Sequence, residues 1–164
     1  MDIFYAMLSI GEQAEEAVAN YMKARGHRVI DVRGARDYQK QDIDFLLINN
    51  KEQQCSLEVK HDRNMNNTGN LFFEGAKERK TGWYDGWLSK CAADYICFYC
   101  GGRGYILNFK DTKARLKELS REIEYCIDGG RAKAYLLPID TAERAGLVSF
   151  SFDLNEQKND YYLQ

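Results

Sequence analysis

Little in this chain marks a boundary. One proline and no low-complexity tract leave nothing that reads as a linker, so residues 1–164 read as one domain with room for a single core. No apolar run reaches the roughly 18–20 residues that cross a bilayer, so no helical span and no membrane partner are expected. Asp2 stands where a secretory leader would be basic, and no cleavage pattern follows, so a cytoplasmic protein is expected. The five cysteines, Cys55, Cys91, Cys97, Cys100 and Cys126, are odd in number and irregular in spacing, which argues against a disulfide framework. Cys97 and Cys100 match a CxxC pattern but fall in a run that reads as a buried strand. Residues three apart there face opposite sides, and no His follows at ligand spacing, so core thiols rather than zinc are expected.

A net excess of positive charge is also missing. The net charge of −2 lacks the basic excess usual for a nucleic-acid binder. Two features soften this: a site for a divalent metal must carry acids, and the bases are bunched. Arg33, Arg36 and Lys40 form one group, Lys60, His61 and Arg63 a second, and Lys77, Arg79 and Lys80 a third. Charge alone decides nothing. What the chain does have is apolar content, 45%, with 13% aromatic residues, which makes it globular rather than disordered.

Periodicity gives the elements. Residues 11–25 carry an apolar stripe of Ala14, Ala17, Val18, Tyr21 and Met22, predicting a helix that Gly26 stops. Strands are expected over 27–32, 42–48 and 54–60, the last two joined by a hairpin loop at 49–53. A polar loop at 64–69 leads to a strand at 71–74, and a basic, tryptophan-bearing segment then turns helical over 84–90. Strands follow at 94–100 and 105–109 around a glycine-rich turn. A helix is expected over 111–125 with Leu116, Leu119 and Ile123 inward, then strands at 134–137 and 147–152, and a polar, fraying tail over the last ten residues. The sum is an α/β fold with a central mixed sheet flanked by helices.

The chemistry sits in two adjacent strands. Alternation puts Asp42 and Asp44 on one face of the first, and Glu58 and Lys60 on one face of the second. Paired as a hairpin, they bring carboxylates from both strands to one side of the sheet, with Lys60 beside them. Hydrolysis of a phosphodiester asks for this set. Mg²⁺ takes hard oxygen ligands, activates water and neutralises charge at phosphorus, and a lysine steadies the transition state. Asp42 reads as a loop-anchoring acid rather than a second ligand.

Asp44 followed by Glu58-Val59-Lys60 resembles the signature of the PD-(D/E)xK, or restriction-endonuclease-like, nucleases. Glu15 on a helix ahead of Gly26-His27-Arg28-Val29-Ile30 is similar to the Holliday-junction-resolvase-like branch. The likeness covers residues 11–74, and it departs from the signature in having Ile43 where a proline often stands. It implies a restriction-endonuclease-like core and an Mg²⁺-dependent endodeoxyribonuclease in recombination, repair or mobile-element defence, with Mn²⁺ able to substitute. Asp44, Glu58 and Glu15 would hold the metal and Lys60 would complete the catalytic set. By helical position Glu15 borders the apolar stripe, Glu12 is second choice, and Glu16 lies opposite.

Arg63, Lys77, Arg79, Lys80 and Trp83 are the expected nucleic-acid contacts, through phosphates and stacking. Against this stands Trp83 and Trp87, four apart, packing a helix on the sheet. DNA is the expected partner, and cutting both strands calls for a dimer. The competing reading is a non-catalytic nucleic-acid-binding module on the same fold.

Overall fold

The computed structural model describes residues 3–127 and 130–159. Helix α1 (Ile3–Ala24) leads to β1 (Arg28–Asp31), a turn of helix α2 (Arg36–Gln39), then β2 (Phe45–Ile48) and β3 (Gln54–His61). Next come α3 (Met65–Thr68), β4 (Asn70–Arg79), β5 (Gly82–Asp85), α4 (Trp87–Lys90), β6 (Tyr95–Cys100) and β7 (Arg103–Asn108). The chain continues through α5 (Phe109–Leu119), β8 (Arg121–Ile127), β9 (Gly130–Pro138), α6 (Ile139–Arg144), β10 (Val148–Asp153) and α7 (Leu154–Asn159). Among the described residues no helix is long and apolar enough to cross a membrane.

The strands form two sheets. A mixed six-stranded sheet runs β1-β2-β3-β6-β7-β10, in which β3 and β6 are parallel and the other pairs antiparallel. A four-stranded antiparallel sheet runs β5-β4-β9-β8. This is the mixed α/β architecture that the element pattern implies. Alternation splits the six-stranded sheet into two apolar faces. Phe45, Leu47, Leu57, Val59 and Cys97 pack under Val18, Tyr21 and Met22 of α1. Leu46, Ile96 and Phe98 face the other way, toward Leu71, Phe73 and Leu137 of the second sheet. Cys97 and Cys100 thus face opposite cores.

Three expectations need correcting. The basic segment after residue 74 is not a helix entry. Strand β4 continues through a bulge at Glu74–Ala76 to Arg79, turns at Lys80-Thr81, and returns as β5, leaving only Trp87–Lys90 helical. Trp83 and Trp87 therefore share no helix face. The helix expected over 111–125 ends at Leu119, and Arg121–Ile127 is β8. The signal was present: Arg121-Glu122-Ile123-Glu124-Tyr125 alternates with period two, and pairing with β9 uses that alternation. Asp42, finally, is off the strand at φ 47, a left-handed conformation that turns Ile43 into the core between the sheets, so Asp42 and Asp44 do not share a strand face. Helix α1 is also longer than expected, starting at Ile3, and Ala19 rather than Ala17 is fully buried on it. Of the tail, residues 160–164 lie outside the described residues.

Phe73 ties the sheets together. It is fully buried between Phe98 of the large sheet, at 4.9 Å between ring centroids, and Trp87, at 5.7 Å. Phe73→Ala is expected to cost about 3–5 kcal/mol in chemical denaturation, whereas Ile30→Ala, at an exposed position, should stay within about 0.5 kcal/mol.

Candidate active site

Asp44 is the residue just ahead of β2, and its backbone is fixed from both sides. Its carbonyl accepts from Val32 N at 3.0 Å, and its amide donates to Leu57 O at 3.0 Å. The β2–β3 pairing ends with Phe45 opposite Leu57, and Asp44, just ahead of it, bonds the same Leu57, the chain neighbour of Glu58. The hairpin therefore makes the two carboxyls cross-strand neighbours. Val59 N donates to Asp44 Oδ2 at 2.8 Å, which aims the carboxylate at the β3 backbone. Lys60, two residues beyond Glu58, lies on the same face, and its Nζ reaches Glu58 Oε1 at 2.6 Å.

Burial makes this set electrostatically unusual. Glu58 is only 5% exposed, and among the described residues its Oε2 has no hydrogen-bond partner. Burial pushes its pKa up to about 8; Lys60 opposes the rise, while Asp44 adds to it by its charge and as a neighbour within hydrogen-bonding reach. Asp44 is also raised by burial, against the pull of the Val59 amide. The two carboxyls together keep a proton that neither would hold in water at neutral pH. Burial pulls the Lys60 ammonium down, and the carboxyls around it more than restore the charge. A proton kept between Glu58 and Asp44 lessens their mutual repulsion. Displacing that proton leaves two hard anionic oxygens facing each other, a donor chemistry that fits Mg²⁺ or Mn²⁺.

Glu15 comes near but is held elsewhere. Arg33 Nη1 donates to Glu15 Oε2 at 2.8 Å, while the same guanidinium bonds Glu16 at 2.6 Å and Asp31 at 2.6 Å. Half-buried, Glu15 is raised in pKa by burial, lowered by Arg33, and raised again by the charges of Asp44 and Glu12. Glu12, Glu15, Arg33 and Asp44 line one open cleft of about 930 Å³ between α1 and the strand ends. Among the described residues no group of three or more His, Cys, Asp or Glu side chains is placed to hold a metal. The structure thus brings Asp44, Glu58 and Lys60 together and sets Glu15 across the cleft, bound to Arg33. Asp42 is an anchor: its Oδ1 accepts from Lys90 Nζ at 2.9 Å.

A second cleft, of about 580 Å³, opens on the other side of Lys60. Lys60 Nζ stands 4.8 Å from the centroid of the Trp87 ring, so the ammonium is held between a carboxyl and an aromatic face. Neither the Trp87 ring at Lys60 nor the Arg33 clamp is among the sequence expectations. No local spacing signals either, because both are contacts between distant segments.

The expected nucleic-acid contacts do not all share a surface. Lys77 pairs opposite Tyr84 and Ala132, and Ala132 opposite Tyr125, which puts Lys77, Arg79 and Tyr84 on the face of the small sheet that carries Tyr125 and Arg121. Trp83 pairs opposite Glu78 on the reverse face, where the cations of Arg131 and Lys133 cover its ring at 5.6 and 4.9 Å. Lys80 is in the turn, and Arg63 lines the second cleft.

No family model matches the chain, and no curated protein matches it in sequence. Among solved structures, the bacterial homing endonuclease I-Ssp6803I is similar with a TM-score of 0.48 and 14% identity, over 77% of this chain and 75% of that one.

The Glu58 shift has a consequence for stability. Its folded pKa, about 8, lies above its ordinary 4.5, so between these values the folded protein holds a proton that the unfolded chain has released. Stability of the metal-free protein should therefore fall as pH rises from about 5 to 8, by at most ~1.4 kcal/mol per unit from this group. Glu58→Gln should flatten that slope in urea denaturation; equal slopes in the two proteins would contradict the shift.

Proposed function

We propose that this chain is a divalent-metal-dependent endonuclease of the PD-(D/E)xK type, acting on DNA from a single nuclease-like domain. The observation that carries the reading is the buried pair of Asp44 and Glu58, with Glu58 Oε2 lacking an acceptor's partner and Lys60 2.6 Å from the other oxygen. An unpartnered buried carboxyl is destabilising, and a purely structural site would be better served by Gln or Leu. A bound Mg²⁺ or Mn²⁺ would supply an activated water and charge neutralisation at phosphorus.

The chain's own residues account for the rest. Asp44 and Glu58 supply the ligand oxygens, and the Val59 amide and the β2–β3 register fix their separation before any ligand arrives. Lys60, paired with Glu58 in this structure, would stand beside the scissile phosphate to steady its charge and orient water. Glu15, which bonds Arg33 in this structure, would be the third acid able to hold the metal, and Arg33 would then be able to meet a phosphate. Arg63, Lys77, Arg79 and the turn residue Lys80 carry the backbone of the nucleic acid across the face of the small sheet. Cutting both strands takes two copies of the chain.

Cleavage of labelled duplex, single-stranded and four-way-junction DNA with Mg²⁺ tests this reading. Asp44→Asn and Glu58→Gln should each lower the rate by at least ~10²-fold, more than loss of an outer-shell partner does. Lys60→Ala should lower it by roughly 10²–10³-fold. Metal-independent DNA binding without cutting would instead favour a binding module.

The phosphate contacts give a separate prediction. Replacing Lys77 and Arg79 together by alanine should reduce the slope of log affinity against log salt by about 2. Trp83→Ala, on the reverse face, should leave that slope unchanged.

A further inference from the structure

The second cleft has a chemistry that phosphate contact alone does not explain. One wall is the small sheet, where Phe72, Ile123, Tyr125 and Leu136 present half-buried apolar surface, Phe72 and Tyr125 meeting edge to face at 5.6 Å. Phe98 and Trp87 close the opposite side, next to Lys60. Arg63 and Arg121 are exposed at the same cleft and make no ion pair among the described residues, whereas Arg33, Arg103 and Arg131 each hold a carboxylate. The Asn64 side-chain amide, also in the lining, has no hydrogen-bond partner among the described residues.

The wall is also fixed before anything binds. Asp62 accepts from Asn64 N at 3.1 Å and from Phe72 N at 3.1 Å, and Met65 is fully buried beneath the loop. An apolar, aromatic floor with free guanidinium groups suits a ligand with a flat body and an attached phosphate. A volume of about 580 Å³ lies within the ~300–1,000 Å³ usual for small-ligand sites.

We propose that this cleft receives a single unpaired nucleobase, so that the substrate carries an unstacked nucleotide next to the bond being cut. The inference rests on the nuclease reading, since Lys60 is the residue shared by the cleft and the carboxyl pair. A base stacked in a duplex offers only its edges, whereas this cleft offers faces. The nucleotide must be extruded, or unpaired already as in a bulge, flap or junction. Phe72, Tyr125 and Trp87 give the stacking surface, Arg63 and Arg121 take the flanking phosphates, and Asn64 reads an edge of the base.

The test uses the full chain with Asp44→Asn to block cutting, and two DNA hairpins that differ only in whether one 2-aminopurine is paired or bulged. Binding should favour the bulged probe by roughly 5- to 150-fold, the range expected for stacking one base, and should quench its emission. Adding Phe72→Ala should remove both effects. Arg121→Ala, at an exposed position that leaves the core intact, should weaken the bulged probe more than the paired one. Equal affinity for the two probes, or a preference that survives both substitutions, would overturn the pocket. If wild type cuts paired duplex while the probes bind equally, the pocket falls and the nuclease reading stands. If the bulged probe is preferred through Phe72 but wild type cuts nothing, the nuclease reading falls and the base pocket stands. Failure to bind any DNA overturns both.

Discussion

A buried carboxyl facing another carboxyl is an arrangement that folding opposes, and here it is enforced by the register of one hairpin. Pairing of Phe45 with Leu57, which Asp44 N also bonds, brings Asp44 beside Glu58, with both acids largely out of water. A slip of one residue would turn Leu57 and Val59 away from helix α1 and put Glu58 into that core instead. The apolar contacts of α1 with β2 and β3 therefore do two things at once: they form the core, and they hold two acids together against their repulsion. Lys60 and the retained proton relieve part of that repulsion.

The surrounding architecture separates functions around that point. On one side, α1 and the segment after β1 frame an acidic cleft in which Arg33 gathers Glu15, Glu16 and Asp31. On the other, the small sheet meets Lys60 with an aromatic and basic surface. Overall charge hides this division: five acids line the first cleft, whereas Arg63 and Arg121 at the second have no ion pair among the described residues. Phe73 and Trp87 link the two sheets, so the position of Lys60 depends on packing between them as well as on β3.

The central elements were legible in the sequence because their signals are local. Alternation around Asp44 and Glu58-Val59-Lys60, with a short polar loop between, specifies a hairpin and the face that its charges share. The α1 stripe specifies its buried side. Legibility failed where local and distant preferences compete. Residues 120–125 satisfy a helical stripe through Leu116, Leu119 and Ile123, but they also alternate, and the free edge of β9 makes the strand win. Asp42 fits an alternating pattern, yet Lys90, 48 residues away, anchors it outside the strand. Trp83 and Trp87 sit at helical spacing but belong to a hairpin and to the turn after it. The Arg33–Glu15 bond and the Trp87 ring at Lys60 are tertiary contacts with no pattern to announce them.

If Asp44 and Glu58 are the proposed metal ligands, the proton they retain should be released on metal binding. Calorimetric titration of Mn²⁺ into the protein at pH 7, in buffers of different ionisation enthalpy, measures that proton directly. The account predicts binding with release of close to one proton in wild type, and weaker binding with almost no release in Glu58→Gln. Absence of Mn²⁺ binding, or binding with the same proton count in both proteins, would contradict it.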